Sequence, residues 1–150
     1  MVAVVHRLTW EWKNQEDALT AKKELYLCGK LTKMRIELGH LPLPELNPNR
    51  KLHHMAKHHY IQQAQEEAMI LAINAGIPLK PFKKAHISIT FIAKDKRRRD
   101  LDNLFASIKA TIDGIVHAGV IEDDDADHVS YTIQFERGEE DNTIIDIERR

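Results

Sequence analysis

Residues 84–127 read KAHISITFIAKDKRRRDLDNLFASIKATIDGIVHAGVIEDDDAD, and the fold turns on how they divide. Ala85, Ile87, Ile89 and Phe91 alternate with His86, Ser88 and Thr90, the period of a half-buried strand. Leu104, Ile108, Ile112 and Ile115 then fall at spacings of four, four and three, one apolar stripe along a helix. Asp102 or Asn103 can cap the start of that helix and Gly119 its end. Val129, Tyr131, Ile133 and Phe135 resume strand alternation. Strand, helix and strand in this order predict a mixed α/β (α+β) chain with a small mixed β-sheet packed against helices.

The same stretch carries the charges that suggest chemistry. Lys96, Arg97, Arg98 and Arg99 run directly into Asp100-Leu101-Asp102-Asn103, and the far end closes on Glu122-Asp123-Asp124-Asp125. Lys109 is the only Lys or Arg between Arg99 and Arg137. If Asp100 and Asp102 continue the extended backbone, period 2 puts both carboxylates on one side and turns Leu101 away. Lys109 lies seven residues past Asp102, two helical turns, on nearly the same face and roughly 10 Å along the axis. Hard cations such as Mg²⁺ take carboxylate oxygens, with water and phosphate oxygens in the remaining positions. Such a cation polarises a phosphodiester and stabilises its leaving oxygen, while a nearby lysine offsets transition-state charge. Adjacent arginines hold flanking phosphates.

RRRDLDNL, a lysine-bearing helix, a glycine and an acidic pair resemble the RusA family of Holliday junction resolvases over roughly residues 80–129. The resemblance implies a homodimeric endonuclease of mixed α/β fold that cuts four-way DNA junctions with Mg²⁺, Mn²⁺ being a substitute. It places the metal-binding aspartates of the family's DxDN motif on Asp100 and Asp102. The later acidic pair falls on Asp123 and Asp124, with Asp124 the ligand, and the catalytic lysine falls on Lys109. Phosphate contacts fall to Lys96, Arg97, Arg98 and Arg99. Two departures are visible. In many members the lysine comes one turn sooner, at the position of Ala106 here; a one-turn insertion brings the family's following aspartate onto Asp113. The Pro- and Asn-rich loop after the family's first strand is not recognisable.

One hundred and fifty residues, 43% hydrophobic and 30% charged, suit a single domain with a sizeable core. No apolar run reaches the ~20 residues of a membrane span, and the N-terminus does not read as a signal peptide. The lone Cys28 excludes an internal disulfide and fits a reducing, cytoplasmic setting. Net charge is −1, but Lys and Arg number 18 against 9 Asp and Glu before residue 100, and 4 against 14 from residue 100 onward. A basic body beside an acidic segment suits a magnesium nuclease. Mutual attraction of the two halves is the plainer account.

Elsewhere, residues 2–12 alternate as a strand that includes Trp10 and Trp12, and 17–28 read as a helix ended by Gly29. Residues 33–38 suit a short strand, and the three prolines of 41–50 a loop. Ile61, Ala64, Ala68, Leu71 and Ala75 mark a long helix over 51–75, stopped by Gly76 and Pro78. Its start carries His53, His54, His58 and His59, which read as a polar or phosphate-facing surface rather than a zinc site. Residues 129–136 and 143–148 read as a hairpin. An EF-hand starting at Asp123 fails, because His128 replaces the required Gly and Gln134 the required Glu. Three functions stay open: a junction endonuclease, a nuclease of the same chemistry acting on flaps or forks, and a branched-DNA-binding protein without activity.

Overall fold

The alternation that begins at Ala85 forms the strand that the rest of the sheet flanks. A computed structural model describes residues 31–150. The strand expected over 2–12 and the helix over 17–28 lie outside the described residues. In chain order the elements are β1 (Lys33–Glu37), a 3-10 turn (Pro44–Leu46), α1 (His54–Ala75), β2 (Ala85–Ala93), α2 (Leu101–Ser107), α3 (Lys109–His117), β3 (Val129–Arg137) and β4 (Asn142–Arg149). The sheet order is β1-β4-β2-β3, with β2 parallel to β3 and antiparallel to β4, and β1 antiparallel to β4. A parallel pair needs a crossover, which α2 and α3 provide. The result is a single compact α+β domain, as the alternation and the helical stripe lead one to expect.

Register puts apolar side chains in rows across all four strands. Met34, Ile147, Ile87 and Tyr131 align in one row, and Ile36, Ile145, Ile89 and Ile133 in the next. This face meets Ala68, Leu71 and Ala72 of α1 and Ile112 and Ile115 of α3, with Ile108 just before α3, in one core. Ile87, Ile89, Ile108, Ile112, Ile115, Ile145 and Ile147 are all at most 1% exposed. Each contributes about 1.5–3 kcal/mol by leaving water, which makes this isoleucine layer the main stabilising term. The opposite face carries polar rows: Lys33 pairs with Glu148 at 3.3 Å, and Arg35 forks onto Asp146 at 2.6 and 2.9 Å, each directly across from its partner.

The expected hairpin does not form. β3 and β4 are consecutive and run in opposite directions, but β2 lies between them. Residues 138–141 pass over the end of β2 instead. Gly138 N donates to Ala93 O at 3.1 Å, and Lys94 N donates to the Asp141 carboxylate at 2.9 Å. A Cβ on Gly138 would stand 2.5 Å from the Ile92 side chain, so the close passage needs glycine.

The helix after the basic run is likewise two pieces. Ser107 Oγ donates back to Asn103 O at 2.7 Å, a bond that competes with helix geometry. At Ile108 (φ −85°, ψ −7°) the backbone N–H is shared between Leu104 O and Phe105 O, and regular helix is interrupted for that one residue. The stripe survives the break, since Ile108, Ile112 and Ile115 are all in the core. α3 ends in a Schellman motif: Gly119 (φ +86°) N donates to Val116 O and Val120 N to Ile115 O. α1 matches the expected stripe, with Ala64, Ala68, Leu71 and Ala72 buried and Gly76 (φ +98°) closing it.

Candidate active site

The N-terminal end of the crossover carries the DLDN residues. Asp100 is extended (φ −88°, ψ 127°) and is the N-cap of α2, but its side chain makes no capping bond. Asp102 lies inside the first helical turn, not in extended backbone. The period-2 pairing of the two carboxylates therefore does not hold, because the helix starts one residue before Asp102. Neither Asp102 nor Asn103 is the cap. An acidic residue in the first turn still suits the positive end of the helix dipole. Both aspartates are exposed, and Asp100 lies 3.9 Å from the Arg98 guanidinium.

The acidic run is anchored at both ends. Phe82 N donates to Val120 O at 2.9 Å and Glu122 N to Phe82 O at 3.1 Å, tying the chain after α3 to the segment before β2. Ala85 N donates to His128 O at 2.9 Å, which fixes the other end. Between these anchors Asp124 turns toward α3. Lys109 Nζ donates to Asp113 Oδ1 at 2.5 Å, one turn along α3, and also to Asp124 Oδ2. The middle and the far end of the sequence motif thus meet: the lysine of the helix holds the aspartate of the acidic run. Burial alone would lower the Lys109 pKa, but its bonds to Asp113 and Asp124 outweigh that and raise it. The ammonium stays charged.

Beside this group lies a cleft of about 350 Å³, lined by Phe105, Ala106, Ile108, Lys109, Ile112 and Tyr131. The Phe105 and Tyr131 rings meet edge to face, 5.1 Å between centroids. Burial, with Asp124 adding to it, pushes the Tyr131 phenol up to about 12. Ala106 and Lys109, three residues apart, share this cleft.

Among the described residues, one group has side-chain ligand atoms close enough to hold a metal ion: Asp123, Asp125 and His128, all within 4.8 Å of one another. Asp125 Oδ1 already accepts from Asp127 N at 2.9 Å, His128 N at 3.0 Å and His128 Nδ1 at 2.5 Å. These bonds close a turn of the kind aspartate commonly forms. The shared hydrogen bond also lowers the Asp125 pKa and raises that of His128. Asp100, Asp102 and Asp124 do not form such a group. Asp124 is with Lys109, and Asp100 and Asp102 sit two turns back along the helical run. By donor chemistry all three suit a hard divalent cation.

The basic run is not uniform. Arg97 and Arg98 expose 85% and 93% of their side chains, and Lys96 is exposed. Arg99 exposes 19% and forks onto Asp95 at 2.6 and 2.9 Å. That contact, led by its hydrogen bonds from Arg99, holds the Asp95 carboxyl down at about 2. The four-residue spacing of Asp95 and Arg99 is visible in the sequence, but their pairing outside a helix is not. Arg137, which reaches the same loop from β3, has no local signal at all. The histidines His53, His54, His58 and His59 are exposed at the start of α1, where His53 Nδ1 caps the helix by accepting from Met55 N at 3.3 Å. No helix among the described residues is long and apolar enough to cross a membrane. Compared with protein-family models and with curated proteins, the sequence matches none.

Proposed function

We propose that this protein is a metal-dependent endodeoxyribonuclease that hydrolyses phosphodiesters in branched DNA, with the four-way junction as its preferred substrate. The observation that carries the reading is the contact between Lys109 and Asp124. Their separation in sequence is bridged by the fold, at the side of a cleft and on the helical run that DLDN opens. Asp100, Asp102 and Asp124 do not converge on one point in this arrangement and would have to close on the cation to hold Mg²⁺ or Mn²⁺, with water and phosphate oxygens in the remaining positions. The cation would supply Lewis-acid polarisation of the phosphate and of a water. Lys109 keeps its charge and faces the same cleft, where it can offset negative charge on the phosphoryl oxygens. Arg97, Arg98 and Lys96 are exposed next to Asp100, the two arginines in long ion pairs with Asp95 and Asp100 at 3.8 and 3.9 Å, in position to hold flanking phosphates. Two such sites related by a two-fold axis would nick strands of like polarity, so the active form is a homodimer.

The test is cleavage of synthetic four-way, three-way, flap, fork and linear duplex DNA in Mg²⁺, with wild type and Asp102→Asn. The expected result is cutting of the four-way junction by wild type and none by Asp102→Asn, which still binds because it loses a negative charge facing phosphate. Equal cutting by Asp102→Asn overturns the metal assignment. Preference for flaps or forks moves the substrate assignment without touching the chemistry. Binding without cutting by wild type leaves an inactive branched-DNA-binding protein.

A further inference from the structure

The loop Lys94–Arg99 links β2 to α2 without regular secondary structure, yet side chains hold it at every second residue. Asp95 is the hub. Its carboxylate accepts both Arg99 guanidinium nitrogens, at 2.6 and 2.9 Å, and Arg97 N at 3.1 Å. Arg137, at the end of β3, donates through Nη1 to Asp95 O and through Nη2 to Arg97 O at 3.0 Å. Its guanidinium also lies 4.7 Å from the centre of the Phe135 ring, which fixes its direction. From the other flank of β2, Asp141 accepts Lys94 N at 2.9 Å. The loop is thereby stapled to β3 and to the start of β4.

We propose that Asp95, Arg99 and Arg137 form a clamp that positions Asp100, making them positioning residues for the metal-binding end of the site. This rests on the nuclease reading above. The backbone next to the clamp supplies the link. Arg99 is held in the clamp, and the residue that follows it, Asp100, is extended (φ −88°, ψ 127°) with its side chain in solvent, 3.9 Å from the exposed Arg98. Releasing Arg99 would free the backbone that aims Asp100. Arg99 is therefore withdrawn from DNA: its fork is filled by a carboxylate, and only arginine matches that two-bond geometry. The three consecutive arginines divide into two that face solvent and one that aims the next residue.

The clamp is tested by Mn²⁺ affinity, read from the paramagnetic resonance of free Mn²⁺, in wild type, Asp95→Asn and Arg99→Gln. Removing a group that orients a metal ligand typically weakens metal binding 10–100-fold, and about tenfold is expected here. Junction affinity in EDTA should stay within about twofold of wild type for Arg99→Gln, whereas a phosphate contact would reduce it and lower the salt slope by about one. Circular dichroism establishes that each variant is folded; if Asp95→Asn is not, Arg99→Lys replaces it, keeping charge but losing the fork. Two folded variants that bind Mn²⁺ within twofold of wild type overturn the clamp. If wild type cuts DNA while both variants match it, the clamp fails and the nuclease stands. If wild type neither binds Mn²⁺ nor cuts any DNA, the nuclease reading fails and the clamp fails with it.

Discussion

Lys109 is held by two carboxylates, and its removal separates a catalytic ammonium from a surface ion pair. An exposed i, i+4 pair with Asp113 is worth about 0.3–0.5 kcal/mol. A transition-state charge contact of ~3 kcal/mol corresponds to a roughly hundredfold loss of turnover. Lys109→Ala is expected to show the larger effect in single-turnover cleavage at saturating Mg²⁺, with a melting temperature close to wild type. A rate within about threefold of wild type would make Lys109 a structural residue. Its contact with Asp113 was legible in the sequence from the four-residue spacing, while its contact with Asp124 was not, because only the fold brings the acidic run back to the helix. Asp102 was less legible. Whether a helix starts at residue 101 or 103 depends on the loop behind it, and the contacts of Asp95 with Arg137 that shape this loop span more than forty residues.

Among the elements, α1 and α3 approach unusually closely. A Cβ on Gly114 would lie 2.4 Å from Gln65 O and 2.8 Å from the Ala68 Cβ. Alanine is the better helix former by about 1 kcal/mol, but a backbone oxygen cannot yield as a side chain can. Gly114→Ala is expected to destabilise the fold by about 1–3 kcal/mol, read as a melting temperature lower by several degrees. In the loop before α2, replacing Lys96, Arg97 and Arg98 with Ala should flatten the dependence of log junction affinity on log salt by about three units. An unchanged slope would mark them as solvated charge. The strands and α1 could be read from periodicity because each has one face on the core. The break at Ser107 could not, since a helical serine more often faces water than its own backbone. Nor could the neighbours of β3: a four-residue connection fits a hairpin, and only the passage of Gly138 over Ala93 shows that β2 stands between.

Across the molecule, the basic and acidic parts of the chain do pair, through Arg35 with Asp146 and Lys33 with Glu148. That accounts for some of the charge asymmetry without DNA, while Lys96, Arg97 and Arg98 remain largely exposed, Arg97 and Arg98 in solvent-exposed ion pairs with Asp95 and Asp100. If paired nicking is the function, sizing at micromolar concentration should give about twice 17.3 kDa, with and without junction DNA. A single-chain mass in both would point to flap-type substrates. The order β1-β4-β2-β3 has a consequence for biosynthesis. β1 and β2 never touch as strands; β4, which follows every other strand in the chain, is the piece that joins them. A chain emerging from the ribosome can assemble β2, the helices and β3, but among the described strands β1 has no partner until residues 142–149 are free of the exit tunnel. Closure of the sheet must then wait for translation past β4. Until that point the apolar edge of β2 is exposed to chaperones and to other nascent chains.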